Sequence, residues 1–275
     1  MVNIKMNTSG SLWLDHCHIY QHGRPEDKRV GTVSHLKRVM KELQADKALV
    51  FGNPVYIPPR VTEEQFDKTN EWFLTMCQGE NDLLPAVHMN PKANNAVKKL
   101  EEYAQRGAVG IKLHPITAKI IYNDSALEDF YQAAEELNLP ITFHTGIHGW
   151  YLKNYRPLLL DEIAQNHPKL SIILAHVGGK AFFNEALAVL HNNPNTYAGL
   201  TQMRSRALGL SLEQKDMLLT SVKPERLIYG TDFPFMDIEV IKKDIEYIMG
   251  WPVSKEAKTL ILGGSLKRLY NSPRT

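Results

Sequence analysis

Short runs of apolar, β-branched residues alternate with longer segments in which apolar residues recur every three or four positions, and the alternation continues along the whole chain. The first kind fits strands buried on both faces, and the second fits amphipathic helices. Eight strands are predicted, beginning at Leu12 (LWLDHCHI), Lys47 (KALVFG), Leu83 (LLPAVHM), Ala108 (AVGIKLH), Pro140 (PITFHTG), Leu170 (LSIILAHVGG), Thr196 (TYAGLTQM) and Arg226 (RLIYGTDF). The helical pattern covers Thr32–Asp46, Thr62–Cys77, Ala93–Arg106, Ala126–Leu137, Pro157–Gln165, Phe182–Leu190, Leu212–Val222 and Ile238–Met249. Local punctuation agrees. Thr62 with Gln65 forms a capping-box pattern, and Gly107 follows the basic Arg106 as a helix stop. Pro140 and Pro168 stand between a helix end and a strand start, where neither interrupts a ladder.

A β–α unit repeated without interruption needs parallel strands with helices outside them. The 275 residues match a (β/α)8 TIM barrel, a fold of about 250 residues. An open doubly wound sheet would place a glycine-rich phosphate turn after the first strand, and HIYQHGRPED has none. The last segment, KEAKTLILGGSLKRLYN, predicts an extra C-terminal helix interrupted at Gly263–Gly264. No linker or composition shift divides the chain, so residues 1–275 are expected to form a single domain.

Composition narrows the partners. A net charge of +2, spread among interleaved acids and bases, offers no electrostatic basis for binding nucleic acid or an acidic membrane. Cys17 and Cys77 make no disulfide framework and read as free thiols of a reducing compartment. The N-terminus MVNIKMNTSG has no signal-peptide core, and no apolar run approaches the roughly 20 residues of a membrane span. A cytoplasmic location is the resulting expectation.

In a barrel, chemistry gathers where strands end. His16 and His18 end the first strand, Lys112 and His114 the fourth, His144 the fifth, His176 the sixth and Asp232 the eighth. Two residues apart on a strand, His16 and His18 share a face, and Cys17 points the other way, toward the helices. Singly, each has a bland reading: a hydrogen-bonded core histidine, a snorkelling Lys112, an Asp232 that caps the turn before Phe233–Pro234. Jointly they put metal-competent side chains at four strand ends in matched register, and an unpaired carboxylate there is costly unless a cation neutralises it. His88 and His148 are placed to face the same pocket, whereas His22, His35, His167 and His191 read as surface residues.

These residues also carry a resemblance. HCH, GIKLHP, ITFHTG, ILAHVGG, RLIYGTDFPF and the terminal LILGGSLKRL, in that order over essentially the whole chain, resemble the amidohydrolase superfamily. More narrowly, they are similar to its amidohydrolase-related branch of semialdehyde and resorcylate-type decarboxylases and lactonases. Two positions depart from the pattern: Asp15 stands immediately before His16 rather than two residues before it, and Ser265 follows Gly263–Gly264 where the family has asparagine. The resemblance implies one divalent metal ion on His16, His18, His144 and Asp232, with Zn2+ the first choice and Mn2+, Fe2+ or Co2+ also suited to these donors. It implies Asp232 as a ligand that also handles a proton, and His176 beside the metal as an acid/base or polarising group. Lys112, carbamylated between two metals in other branches, is expected here as an unmodified cation near the substrate.

The expected activity is cleavage of a lactone, amide or ester in a small, anionic, carboxylated molecule by metal-activated water. The alternatives are decarboxylation of an unsaturated or aromatic acid by the same parts, and a non-catalytic metabolite-binding barrel. Hydrolysis is preferred because the chain is short for the branch. Arg24, Arg60, Arg204 and Arg206, with Lys112, are the cations expected near the mouth to meet a carboxylate. Homodimers are common for barrels of this branch.

Overall fold

The computed structural model describes residues 11–54, 61–205 and 208–271. Eight parallel strands close into a barrel in sequence order: β1 (Trp13–Ile19), β2 (Lys47–Gly52), β3 (Leu83–His88), β4 (Gly110–Leu113), β5 (Ile141–His144), β6 (Ile172–Ala175), β7 (Thr196–Leu200) and β8 (Leu227–Phe233). Between them run α1 (Val33–Leu43), α2 (Glu63–Cys77), α3 (Ala96–Gln105), the one-turn α4 (Pro115–Ala118), α5 (Glu128–Glu136), α6 (Leu159–Asn166), α7 (Gly179–Asn192) and α8 (Leu212–Ser221). After β8 come α9 (Ile238–Met249), α10 (Lys255–Thr259) and α11 (Ser265–Asn271). Every strand predicted from the pattern is present, and the alternation of faces explains the core. Leu14, Cys17, Ile19, Ala48 and Val50 pack outward against the helices, while Trp13, Leu49, Phe51, Ala86, Ile173 and Ile228 fill the barrel with Leu266 of α11.

The local signals act as read. Gln65 N–H donates to Thr62 Oγ1 (3.2 Å) and Thr62 N–H to Gln65 Oε1 (2.8 Å), closing the capping box of α2. Gly107 takes a left-handed φ of 98° just past α3, where a Cβ would be strained. The glycine pair near the C-terminus serves a close approach. A Cβ on Gly263 would lie 2.5 Å from the Ser11 carbonyl oxygen and 2.6 Å from Trp13 N, so only glycine lets this segment press against the start of β1 and seat Leu266 in the barrel floor.

Two features of β1 position the site. Between Leu14 and Cys17 the strand carries two residues where β2 carries one, and on the other side Thr231 and Asp232 of β8 face the single residue His16. A bulge of this kind breaks the strict alternation of faces and re-aims side chains. It answers the sequence departure at this strand: Asp15, adjacent to His16 rather than one residue removed, is still buried and within electrostatic reach of Lys112 and Asp232.

Candidate metal centre at the barrel mouth

Three of the expected ligands come together. One ligand atom from each of His16, His18 and Asp232 lies within 4.8 Å of the others, and all three residues are buried. Asp232 Oδ1 is 3.5 Å from His18 Nε2 and 3.7 Å from His16 Nε2. Asp232 therefore does not cap the turn before Phe233; its carboxylate faces the paired imidazoles. His144, the fourth expected ligand, sits one ring further round. Its Nδ1 is 3.2 Å from His176 Nε2, and among the described residues its buried Nε2 has no hydrogen-bond partner. His176 in turn packs 5.1 Å from the His16 ring, and its Nδ1 hydrogen-bonds Thr201 Oγ1. It stands beside the trio, with both ring nitrogens engaged by protein groups.

The rings continue around the mouth. His114 stacks on His144 at 4.4 Å and meets His148 edge-on at 5.2 Å, and His88 lies 6.4 Å from His114. Burial is the first cause of every histidine pKa shift here. It holds His16, His88, His114 and His144 well below the ordinary value, lowers His18 and His148, and brings His176 to about 4. All are neutral at pH 7, which leaves lone pairs free to ligate a cation.

Lys112 does not snorkel. It is fully buried, its Nζ 3.1 Å from His16 Nε2 and over the Phe51 ring at 5.4 Å. Burial lowers its pKa to about 7, with Asp232 and Asp15 pulling the other way, so much of it is uncharged amine at neutral pH. That makes a second cation beside His16 tolerable. Burial opposes ionisation of Asp232, but the hydrogen bond to His18, the surrounding imidazoles and the Gln202 amide outweigh it and bring its pKa down to about 2. Burial pushes Asp15 up to about 7 against the His16 N–H and Lys112. A buried cluster thus holds an ionised carboxylate against neutral imidazoles, with His144 one ring further round. This donor set fits a divalent transition metal.

The backbone is strained where these groups sit. Among the described residues, eight non-glycine residues have positive φ; Gln44, Lys119 and Asn138 follow helix ends. The other five, His16, His176, Val177, Gln202 and Asp232, all lie at the mouth. Left-handed conformations of this kind cost about 1–3 kcal/mol each and persist where the surroundings impose them.

Several positions differ from the sequence reading or extend it. His167 is buried rather than exposed, at the end of α6 with Nε2 3.3 Å from Glu128 Oε1. His35 is half-buried, its ring 4.9 Å from Phe233 and its Nδ1 accepting from Gly31 N–H. Of the cations expected at the mouth, Arg24 lies over the Phe235 ring at 5.2 Å, and that ring is 5.6 Å from His18. Arg60 and Arg206 fall outside the described residues. Sequence reasoning passed over Asn53, which hydrogen-bonds His18 and Tyr20, and over Thr201 and Gln202 at the end of β7. The only sequence signal for the last pair was two polar residues ending an apolar strand, and neither is a ligand or titratable type.

The amidohydrolase family model matches residues 16–271, from the first histidine of the pair to the last helix. The chain belongs to the amidohydrolase family. It is an enzyme of the amidohydrolase superfamily, whose members are metal-dependent, and the buried His–His–Asp cluster fits that chemistry. Among solved structures it is similar to 5-carboxyvanillate decarboxylase from Sphingomonas paucimobilis (TM-score 0.72, 14% identity, covering 96% of this chain and 100% of that one). A dihydroxybenzoic acid decarboxylase from Polaromonas sp. JS666, with bound manganese and 2-nitroresorcinol, gives TM-score 0.73 at 12% identity over 95% of this chain and 97% of that one. A probable 2-pyrone-4,6-dicarboxylic acid hydrolase from Acinetobacter baumannii, with citric acid bound, gives TM-score 0.64 at 14% identity over 95% and 100%. At these identities the likeness shows the shared barrel. No curated protein sequence matches this chain.

Proposed function

We propose that this amidohydrolase is a metal-dependent hydrolase that opens a lactone, amide or ester bond in a small carboxylated molecule. One divalent ion would be held by His16, His18, His144 and Asp232. Zinc suits these nitrogen and carboxylate donors, and manganese, iron or cobalt could take the same place. The observation that carries the reading is Asp232: a buried, ionised carboxylate whose Oδ1 faces two neutral imidazoles, 3.5 and 3.7 Å away. An ion bound there supplies Lewis acidity, polarising a carbonyl and acidifying water at neutral pH.

The chain's own residues supply the rest. The Asp232 carboxylate takes a proton from the attacking water and returns it to the departing oxygen or nitrogen. His176, bonded through Nε2 to His144 and through Nδ1 to Thr201, keeps the His144 ring oriented, and it polarises the substrate once Nε2 leaves His144. Lys112 stays unmodified beside His16, and its protonated fraction attracts an anionic substrate. Arg24, laid over Phe235 next to His18, offers a cation and an aromatic face to a planar carboxylate.

That rim, with the two decarboxylases among the similar structures, supports a second reading. In it Asp232 or His176 delivers a proton to carbon as CO2 leaves an unsaturated or aromatic acid. A panel of lactones, amides and unsaturated or aromatic carboxylic acids, scored for both acid release and CO2 release, separates the two. Asp232→Asn should abolish either. A fully metal-loaded chain that turns over nothing in the panel would count against both reactions for these substrate classes. We further propose a cytoplasmic enzyme that pairs as a homodimer; among the described residues no helix is long and apolar enough to cross a membrane.

A further inference from the structure

Three consecutive residues after β7 each make a separate commitment. Thr201 Oγ1 hydrogen-bonds His176 Nδ1, the Gln202 side-chain amide donates to Asp232 Oδ2, and the Met203 N–H donates to the carboxylate of Asp244 on α9. Gln202 makes its bond from a left-handed backbone with φ 50°, a conformation that a non-glycine residue adopts only when its surroundings impose it. The anchor behind it is also costly. Asp244 is 3% exposed among the buried Ile241, Ile245 and Ile248 of α9; among the described residues its Oδ1 has no hydrogen-bond partner, and only the charge of Arg204 offsets its burial besides the Met203 N–H. An apolar residue would pack this helix face at less expense.

Asp232 shows what these commitments achieve. It too has a left-handed backbone, at φ 53°. A carboxylate on a short side chain can present either oxygen, or both, to a ligand. With Oδ2 tied to the Gln202 amide, only Oδ1 is turned toward His16 and His18. The amide can hold that oxygen only while its backbone stays in place, and the next residue along is pinned to Asp244.

We propose that Gln202, and behind it Asp244, are positioning residues that fix the Asp232 carboxylate with Oδ1 facing His16 and His18. This rests on the reading of those three residues as a metal centre. Neither residue touches the reacting atoms; Gln202 acts through Asp232, and Asp244 acts through Gln202.

The test is Zn2+ affinity, measured on the full-length, metal-stripped chain by competition with a chromophoric chelator. Gln202→Leu, which keeps bulk and removes the donor, should weaken Zn2+ binding by about 10- to 100-fold, the usual loss for a group that orients a metal ligand. Asp244→Leu should weaken it comparably in the wild-type background and add less than about twofold to Gln202→Leu, because both act on the same carboxylate. Asp244→Asn keeps an oxygen for the Met203 N–H and should bind Zn2+ like the wild type. A purely structural role for Asp244 predicts equal losses on both backgrounds, and that result overturns the coupling. Should Asp244→Leu not fold, Gln202→Leu and Asp244→Asn still decide: wild-type affinity in the first, or a full loss in the second, overturns the proposal. A wild-type chain that binds no Zn2+ overturns the metal-centre reading itself. Tight wild-type binding left unchanged by Gln202→Leu overturns this inference alone.

Discussion

Replacing Gly230 by alanine probes whether β8 and the bulge of β1 are as close as the site requires. Gly230 pairs with Asp15 across the strand boundary. A Cβ placed on it would lie 2.7 Å from Thr201 Cγ2, 3.1 Å from His16 Cβ and 3.2 Å from the Asp15 carbonyl oxygen. Carbon atoms pack best at about 3.5–4.0 Å, so the new methyl overlaps Thr201 by about 1 Å and His16 by about 0.5 Å. The backbone itself accepts alanine, and stiffening the unfolded chain would by itself gain about 0.4–1 kcal/mol. Overpacking costs about 1–3 kcal/mol, so the net expectation is a loss of about 1–2 kcal/mol. The atoms forced aside carry His16 and the partner of His176, and a displacement near 1 Å can cost about 100-fold in turnover. Urea unfolding of the chelated protein reads the first effect; Zn2+ competition and turnover read the second. Gly149→Ala is the control, since among the described residues nothing lies within 4 Å of its added Cβ. If Gly230→Ala matches Gly149→Ala in stability and the wild type in Zn2+ affinity, the described contact between β8 and the bulge does not exist.

Three further outcomes follow from the same geometry. Elemental analysis should find about one mole of divalent metal per chain; about two, with added mass on Lys112, would mean that this lysine is carbamylated and bridges a second ion. His176→Asn should keep its metal and lose most turnover, because His176 bonds His144 rather than joining the trio, and a variant that purifies empty would make His176 a ligand. Burial pushes Asp244 from 3.8 to about 6, so the unfolded carboxyl ionises first and stability falls as pH rises through that window. Asp244→Asn should therefore gain about 3 kcal/mol of unfolding free energy above about pH 7 and nothing below about pH 4; an equal gain at both pH values would assign the effect to packing instead.

The chain order of the barrel and the identity of its polar rim were readable without coordinates. Strand and helix periods are local properties, so the β–α alternation and the ends of the strands could be found by counting. Because a parallel barrel points all its strand ends the same way, His16, His18, His144, His176 and Asp232 could be assigned to one rim from their positions alone. What the folded chain decided was distance and partnership. Whether His144 stands with the trio or one ring away, whether Lys112 reaches solvent or stays buried on His16, and whether His167 is covered all depend on side chains from remote parts of the sequence. The same holds for the bulge that rescues the displaced Asp15 and for the chain from Asp244 through Gln202 to Asp232. Periodicity specifies which face a residue takes. Register between strands, and the room left between packed side chains, are set only when the cylinder closes.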